Sequence, residues 1–382
     1  MGAKDRYFFS WARFWAVLVK EFVQMRRDRL TFAMMVGIPI VQLILFGYAI
    51  NTDPKALPTA VLAADNSVFA RSFVSAMENS GYFRVARGIS TEAEAERALA
   101  EGEVQFVVHV PENFARKLVR GERPVLLVEA DAADPAATSN ALTALLTLNY
   151  TALARDLAGS LAPLSPGPPP FELRVHRRYN PEGITQYNVV PGLIGTILTM
   201  TMVMMTALAM TREQERGTME GLLATPVRPV EVMTGKIVPY IIVGYVQMAV
   251  ILAAAKLLFE VPVVGSLVLL STALIVFIAA NLAVGFTFST LARNQLQAMQ
   301  MAFFFFLPSI LLSGFMFPFR GMPGWAQWLG ELLPLTHFLR VLRGILLKGN
   351  GVAEITPELW PIAAFLLVAA AIALMRYRET LD

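Results

Sequence analysis

Residues 211–236 read T-R-E-Q-E-R-G-T-M-E-G-L-L-A-T-P-V-R-P-V-E-V-M-T-G-K. The stretch is well charged, yet too short to be a domain, and it lies between long apolar runs. Charge-free sequence covers Ile184–Thr211 before it and Ile237–Ala255 after it. The spacing predicts a short helix over Met219–Ala224. Thr218 is its expected N-cap, because a hydroxyl there accepts from an orphan amide. Glu220 falls in the first turn, where the helix dipole favours an anion. Pro226 ends the helix, since proline disfavours helical geometry in the residue before it. Pro229 then opens the next one, where its missing N–H costs nothing. The outcome is a small helical knob carrying Leu222 and Leu223. An ordinary polar loop is the competing reading.

Working outward, composition sets the class. Hydrophobic residues make up 55% of the 382 and charged ones 16%, against about 25% charged in ordinary globular domains. An integral membrane protein with a minority soluble part is expected. The net charge of +3 gives no argument for nucleic acid. With no Cys, a disulfide, a thiolate zinc site and a Cys nucleophile are all excluded. His109, His176 and His337 are too scattered for metal-ligand spacing. Gly235–Lys236 lacks the upstream glycine of a phosphate loop, because Val230 stands there. If ATP drives this chain, another chain binds it.

Residues 1–29 carry Phe8, Trp11, Trp15, Leu18, Phe22 and Met25 at helical steps among basic residues, the pattern of a cytoplasmic amphipathic helix in the membrane interface. The competing reading is a soluble packing helix. Residues 30–52 are charge-free and long enough to cross a core of about 30 Å. The basic excess before them puts the N-terminus in the cytoplasm.

Residues 53–183 change character. Leu57–Ala64, Tyr82–Arg87, Val104–Val110, Val125–Ala130 and Phe171–Tyr179 read as strands. Val68–Asn79, Thr91–Ala100, Glu112–Arg120 and Pro135–Leu161 read as helices. This alternation predicts an α/β domain, and the length suffices for its own core. Glu129, Asp131 and Asp134 crowd one strand-to-helix turn and read as a solvated cap rather than a metal site.

Residues 184–382 supply five further spans: Ile184–Thr211, Ile237–Ala255, a run within Val261–Ala292, Gln295–Phe319 and Leu359–Met375. Asn281 should hydrogen-bond a neighbouring helix, since an unpaired amide in lipid is costly. Gly192, Gly195, Thr196, Thr199, Thr201 and Thr206 give the second span a small, weakly polar surface. It suits close helix packing or a translocation path, with Thr196, Thr199, Thr206 and Phe305 as candidate path residues. Residues 320–358 are too polar for a clean span. They suit an outer segment that dips into the membrane and returns, although Arg320, Arg340, Arg343 and Lys348 strain that reading.

The run E-R-G-T-M-E-G-L-L-A-T-P-V-R-P resembles the intracellular loop of permease subunits of ABC-2 type transporters, which docks on a separate ATPase. Glu215, Gly217, Thr218, Glu220, Leu222, Leu223 and Pro226 carry the match. L-P-L-T-H-F-L-R-V-L-R-G at Leu333–Gly344 resembles the segment before that family's last span. The large insert after the first span is similar to that of the longer bacterial members. The resemblance implies an α-helical membrane protein of the bacterial inner membrane, with six transmembrane helices in an ABC-2 type exporter arrangement. An inserted α/β extracytoplasmic domain, a re-entrant outer segment and two cytoplasmic termini complete it.

By the same resemblance, residues 211–236 hold the coupling helix. Leu222 and Leu223 would anchor on the ATPase. Glu215, Arg216, Glu220 and Arg228 would set register, and Gly217, Thr218, Met219 and Pro226 would shape the knob. ABC ATPase subunits, a second permease subunit (the same or a different chain) and membrane lipid are the implied partners. A periplasmic adaptor and an outer-membrane channel are further candidates. ATP and Mg belong to the partner ATPase, with no cofactor bound by this chain. The exporter would move an apolar or amphipathic substrate, as abundant Met and Phe suggest. A non-transporting transmitter that pulls on the outer domain is the alternative. An ion-gradient transporter is disfavoured, because such proteins keep ionisable residues within the membrane.

Overall fold

The computed structural model describes residues 53–157, 168–215 and 229–376. The expected interfacial helix at 1–29 and first span at 30–52 lie outside the described residues.

Five strands build one sheet: β1 (Leu57–Ala63), β2 (Phe83–Ile89), β3 (Phe106–Val110), β4 (Val125–Asp131) and β5 (Glu172–Arg178). Their spatial order is β2-β1-β3-β4-β5. β1 runs parallel to both neighbours, β3 and β4 are antiparallel, and β4 and β5 are parallel. Each parallel return needs a crossover, and helices provide them: α1 (Val68–Asn79), α2 (Glu92–Glu101) and α4 (Pro135–Thr151). The short α3 (Phe114–Val119) precedes β4.

Local chemistry sets the helix starts. Ser67 and Thr91 accept from Ala70 N and Glu94 N as N-caps of α1 and α2, and Pro135 takes the first turn of α4. The helices α1, α3 and α4 cover one face of the sheet over Phe73, Phe114, Phe171 and Leu126. On the other face α2 packs Ala95, Ala98 and Leu99 against Ala60 and Val107. Phe73 and Phe114 meet Phe171 edge-on at 5.4 and 6.1 Å. Each such fully buried ring contributes about 2–3 kcal/mol.

The other part is a bundle: α5 (Thr185–Glu215), α6 (Pro229–Phe259), α7 (Leu267–Leu291), α8 (Gln295–Leu312) and α11 (Val352–Arg376). Five helices among the described residues are long and apolar enough to cross a membrane: Thr185–Arg212, Pro239–Phe259, Leu267–Leu291, Gln295–Leu312 and Val352–Arg376. At the centre, α7 buries Phe277, Ile278 and Leu282. Phe277 stacks on Phe338 with centroids 3.8 Å apart. The α6 and α11 faces carrying Ile242, Val246, Val250, Leu367 and Val368 are open, as lipid-facing surfaces are. Between α8 and α11 a hairpin contains α9 (Gly324–Glu331) and α10 (Pro334–Arg343), continued by a wider turn at Gly344–Lys348.

Two expectations need correcting. The last helix starts at Val352, not near Leu359, in spite of Pro357 and Pro361. Glu354 reaches back to accept from Gly351 N at 2.8 Å, half of a capping box that sets the start. Asn281 is fully buried but hydrogen-bonds no neighbouring helix among the described residues. Its Nδ2 donates to Phe277 O of its own helix at 2.9 Å, and its Oδ1 has no partner.

Candidate functional site

Among the described residues, the sheet unit meets the bundle at the end where α5 begins. There Asn188, early in α5, donates to Asp134 at 3.1 Å. At 31 residues, α5 is about 46 Å long at 1.5 Å per residue. A hydrocarbon core is about 30 Å thick, so its far end projects well past one. At that far end Glu215 accepts from Gln295 N at 2.8 Å and from the Gln295 side-chain amide. An anion thus sits on the N-terminus of α8, where the dipole favours it. Asn294 caps the same helix by accepting from Gln297 N at 2.8 Å, and Gln297 reaches back to Arg293 N. The C-terminal end of α5 therefore stands at the end of the bundle away from the sheet. Of the expected docking residues only Glu215 is described; Arg216, Gly217, Thr218, Met219, Glu220, Leu222, Leu223, Pro226 and Arg228 lie outside the described residues.

The expected path residues are all placed. Thr196, Thr199 and Thr206 are buried and donate to Gly192 O, Gly195 O and Met202 O, each at 2.9 Å. Their hydroxyls are satisfied one turn back along α5. Neighbouring glycines serve close approach. A Cβ on Gly195 would stand 2.8 Å from Leu335, and one on Gly285 of α7 would stand 2.5 Å from Val203 O. Phe305 lies between Phe288 and Phe365. None of the four lines the cavity described next.

At the sheet end, the cations that strained the sequence reading have partners. The face of α10 carries His337 and Arg340 one turn apart. Arg340 holds Glu331 at 2.6 Å and Glu358 at 3.2 Å and lies over the Phe319 ring. His337 Nε2 donates to Glu331 O at 2.8 Å while Nδ1 meets Glu358 at 2.5 Å. Both ring nitrogens face acceptors, which only the imidazolium satisfies. Lys348 reaches across to the sheet unit, 2.6 Å from Asp131 and 2.9 Å from Leu99 O. Asn350 donates to Ala100 O at 3.0 Å and Arg320 to Gly102 O at 3.4 Å. Three groups of the hairpin thus converge on the C-terminus of α2, whose last carbonyls are orphaned and carry the negative end of the dipole.

A cavity of about 260 Å³ lies in this junction, lined among others by Asp134, Arg320, Arg340, Arg343 and Lys348. The solvated cap expected of Glu129, Asp131 and Asp134 is corrected accordingly. Asp131 pairs with Lys348, and Asp134 turns to Asn188. Burial pushes the Asp134 carboxyl up from its ordinary pKa, against the pull of nearby Arg343. Glu129 is buried and belongs to a different cluster on the sheet. It meets His109 at 3.3 Å, His176 at 3.3 Å and Arg178 at 2.9 Å. The His109 hydrogen bond, then Arg178, outweigh burial and hold its pKa near 2.

The partners Asp131 and Glu358 escaped the sequence reading. The one signal was a demand: cations in an apolar helix such as Pro334–Arg343 need acids, and sequence alone does not say which.

The comparisons agree over nearly the whole chain. The family described as "ABC-2 family transporter protein" matches residues 29–375. The chain is 29% identical over 368 residues to a probable multidrug ABC transporter permease, YbhS, of Escherichia coli, covering 95% of this chain and 94% of the relative. It is 27% identical to a second one, YbhR, of the same organism, over 96% of this chain and 98% of the relative. ABC transporter G family member 20 of Dictyostelium discoideum is 26% identical over 93% of this chain and 49% of its own length. No solved structure matches.

Proposed function

From the premise that this chain belongs to the ABC-2 family of transporter proteins, we propose that it is the permease subunit of an ATP-driven exporter in a bacterial inner membrane. Residues 30–52 supply a sixth span beside the five described. The sheet unit is an inserted extracytoplasmic α/β domain, and both termini are cytoplasmic. Residues 216–228, held at the end of the bundle away from that domain, form the coupling helix. Leu222 and Leu223 anchor on an ATPase chain, which uses ATP and Mg. Arg216, Glu220 and Arg228 set register by rim charge pairs, and Glu215 braces the knob through Gln295. Closure of the ATPase then moves α5 and α6 as rigid levers. A second permease subunit completes the path, and the cargo is apolar or amphipathic, in keeping with the multidrug permeases that this chain is similar to. A periplasmic adaptor and an outer-membrane channel are the natural acceptors beyond it.

The observation that carries this reading is the length and placement of α5, tied to the sheet unit through Asn188 and to α8 through Glu215.

One feature favours a second reading, in which the ATPase pulls on the outer domain without transport. The hairpin is fastened to that domain by Lys348 and Asn350, and the hydroxyls of Thr196, Thr199 and Thr206 are turned into their own helix. Single cysteines at positions 196, 199 and 206, in a chain with none of its own, separate the two. Labelling from water during ATP turnover supports a conduit; full protection at every position supports the transmitter.

A further inference from the structure

The described tryptophans, Trp325, Trp328 and Trp360, all stand open on the bundle; Trp328 is 66% exposed and Trp360 64%. Two of them share α9, a helix of eight residues. It is about 12 Å long, too short to cross a hydrocarbon core of about 30 Å. Its faces are divided. Trp325, Trp328, Leu329 and, just past its end, Leu332 recur at three- and four-residue steps, and all four are exposed. Ala326 and Gly330 are buried on the inner face, where a Cβ on Gly330 would stand 2.6 Å from Leu312 O. The helix is thus pressed onto the end of α8 and has no room to turn its rings inward. Gln327 and Glu331 form its polar edge and line the cavity under the sheet unit.

The last helix fixes the level of this stripe. Arg340 holds Glu331 and Glu358 together, so the end of α9 and the second turn of α11 stand side by side. Trp360 follows two residues later on the opposite face of α11, in line with Leu367 and Leu374 at seven-residue steps, all exposed. From Trp360 to Arg376, where α11 ends, the helix covers about 24 Å, which brings Trp360 close to one edge of the hydrocarbon core. We propose that α9 lies in the membrane interface at that level, with Trp325 and Trp328 seated among head groups and upper acyl chains as a lipid anchor for the hairpin. An indole there buries its ring and keeps its N–H near water, and an amphipathic helix lies in that plane on its apolar face. The occupant is lipid rather than a second copy, because the stripe continues the lipid-facing surface of α11 at the height of Trp360, while the polar edge turns to the sheet unit.

The test uses the full chain in phosphatidylcholine nanodiscs and depends neither on transport nor on an ATPase. Trp11→Phe, Trp15→Phe and Trp360→Phe leave Trp325 and Trp328 as the only tryptophans. Their fluorescence is quenched in turn by lipid with a doxyl group near the head group, by lipid with one deep in the acyl chain, and by acrylamide in the water. The expected result is emission blue-shifted from that of the unfolded chain and quenched more by the shallow doxyl than by the deep one. Trp325→Phe and Trp328→Phe should each remove part of that signal. Stronger quenching by the deep doxyl, or quenching by acrylamide with none from either lipid, overturns the proposal. Protection from all three also overturns it, since a second copy or another protein would then cover the stripe. If the three-fold Phe background does not fold, a nitroxide on Trp328→Cys, in a chain without Cys, serves instead. Its ratio of oxygen to nickel-chelate accessibility should fall between those of Val68→Cys on the sheet unit and Leu367→Cys on α11, both exposed. A ratio equal to either one, or low access to both reagents, counts against the anchor.

Discussion

Lys348 and Asp131 stand 217 positions apart in the chain and meet at 2.6 Å, both side chains largely buried. One belongs to the hairpin between two membrane helices and the other to the end of a sheet strand. Removing either partner leaves a charge without water or counter-ion. Lys348→Met or Asp131→Leu alone should destabilise by about 3–5 kcal/mol. The double substitution should recover much of that loss. Thermal unfolding of the four proteins gives the cycle, and additive losses would show that the pair does not hold the junction.

The Glu129 cluster predicts a stability window in pH. Glu129 is lowered from 4.5 to about 2, so its contribution is present above pH 4.5 and fades as pH falls toward 2. Linkage puts it at about 3 kcal/mol, from about 2.5 units at about 1.4 kcal/mol each. For His109, burial lowers the pKa, but Glu129 and Glu92 together raise it above 6.5. Its contribution is complete below pH 6.5 and is lost as pH rises through the raised value. Stability of the sheet unit should therefore peak between about pH 4.5 and 6.5. Glu129→Gln should flatten both limbs, as read by proteolysis of the full chain across pH.

Gly285 makes α5 and α7 touch. A methyl group there would meet Val203 O at 2.5 Å and Thr206 at 2.9 Å, so Gly285→Ala must push the helices apart, at a cost of about 1–3 kcal/mol. Gly324 has nothing within 4 Å of its added Cβ, and Gly324→Ala should be neutral within about 0.5 kcal/mol. Their unfolding midpoints check the contrast.

Asn281 is a buried amide with one satisfied and one orphaned end. Replacing it by Leu removes an unmet acceptor of similar volume. Asn281→Leu should leave stability unchanged or raise it by about 1 kcal/mol. A loss of several would mean that the amide serves a partner outside this chain.

Much of the fold could be read from local pattern. Ser67 and Thr91 cap their helices within three residues, and so Val68–Asn79 and Glu92–Glu101 fall where periodicity puts them. The charge-free runs became membrane-length helices because nothing in them interrupts the apolar period. The misreading of the acidic turn has a plain cause. Asp131 and Asp134 look solvated until Lys348 and Asn188 arrive from far along the chain. A local pattern carries no record of a partner that distant. For the candidate site, residues 211–236 stand out in the sequence by charge and turn residues, and among them residues 216–228 lie outside the described residues; the turning of the Thr196, Thr199 and Thr206 hydroxyls into their own helix left no mark in the sequence.

The central claim is that ATP-driven motion enters the bundle through the loop between α5 and α6. Its most direct test is the ATPase rate of the partner chain, reconstituted with the wild-type permease and with Leu222→Asp/Leu223→Asp. The account predicts that permease-dependent stimulation disappears in the variant while folding and membrane insertion are kept. Full stimulation by a correctly inserted variant would contradict it.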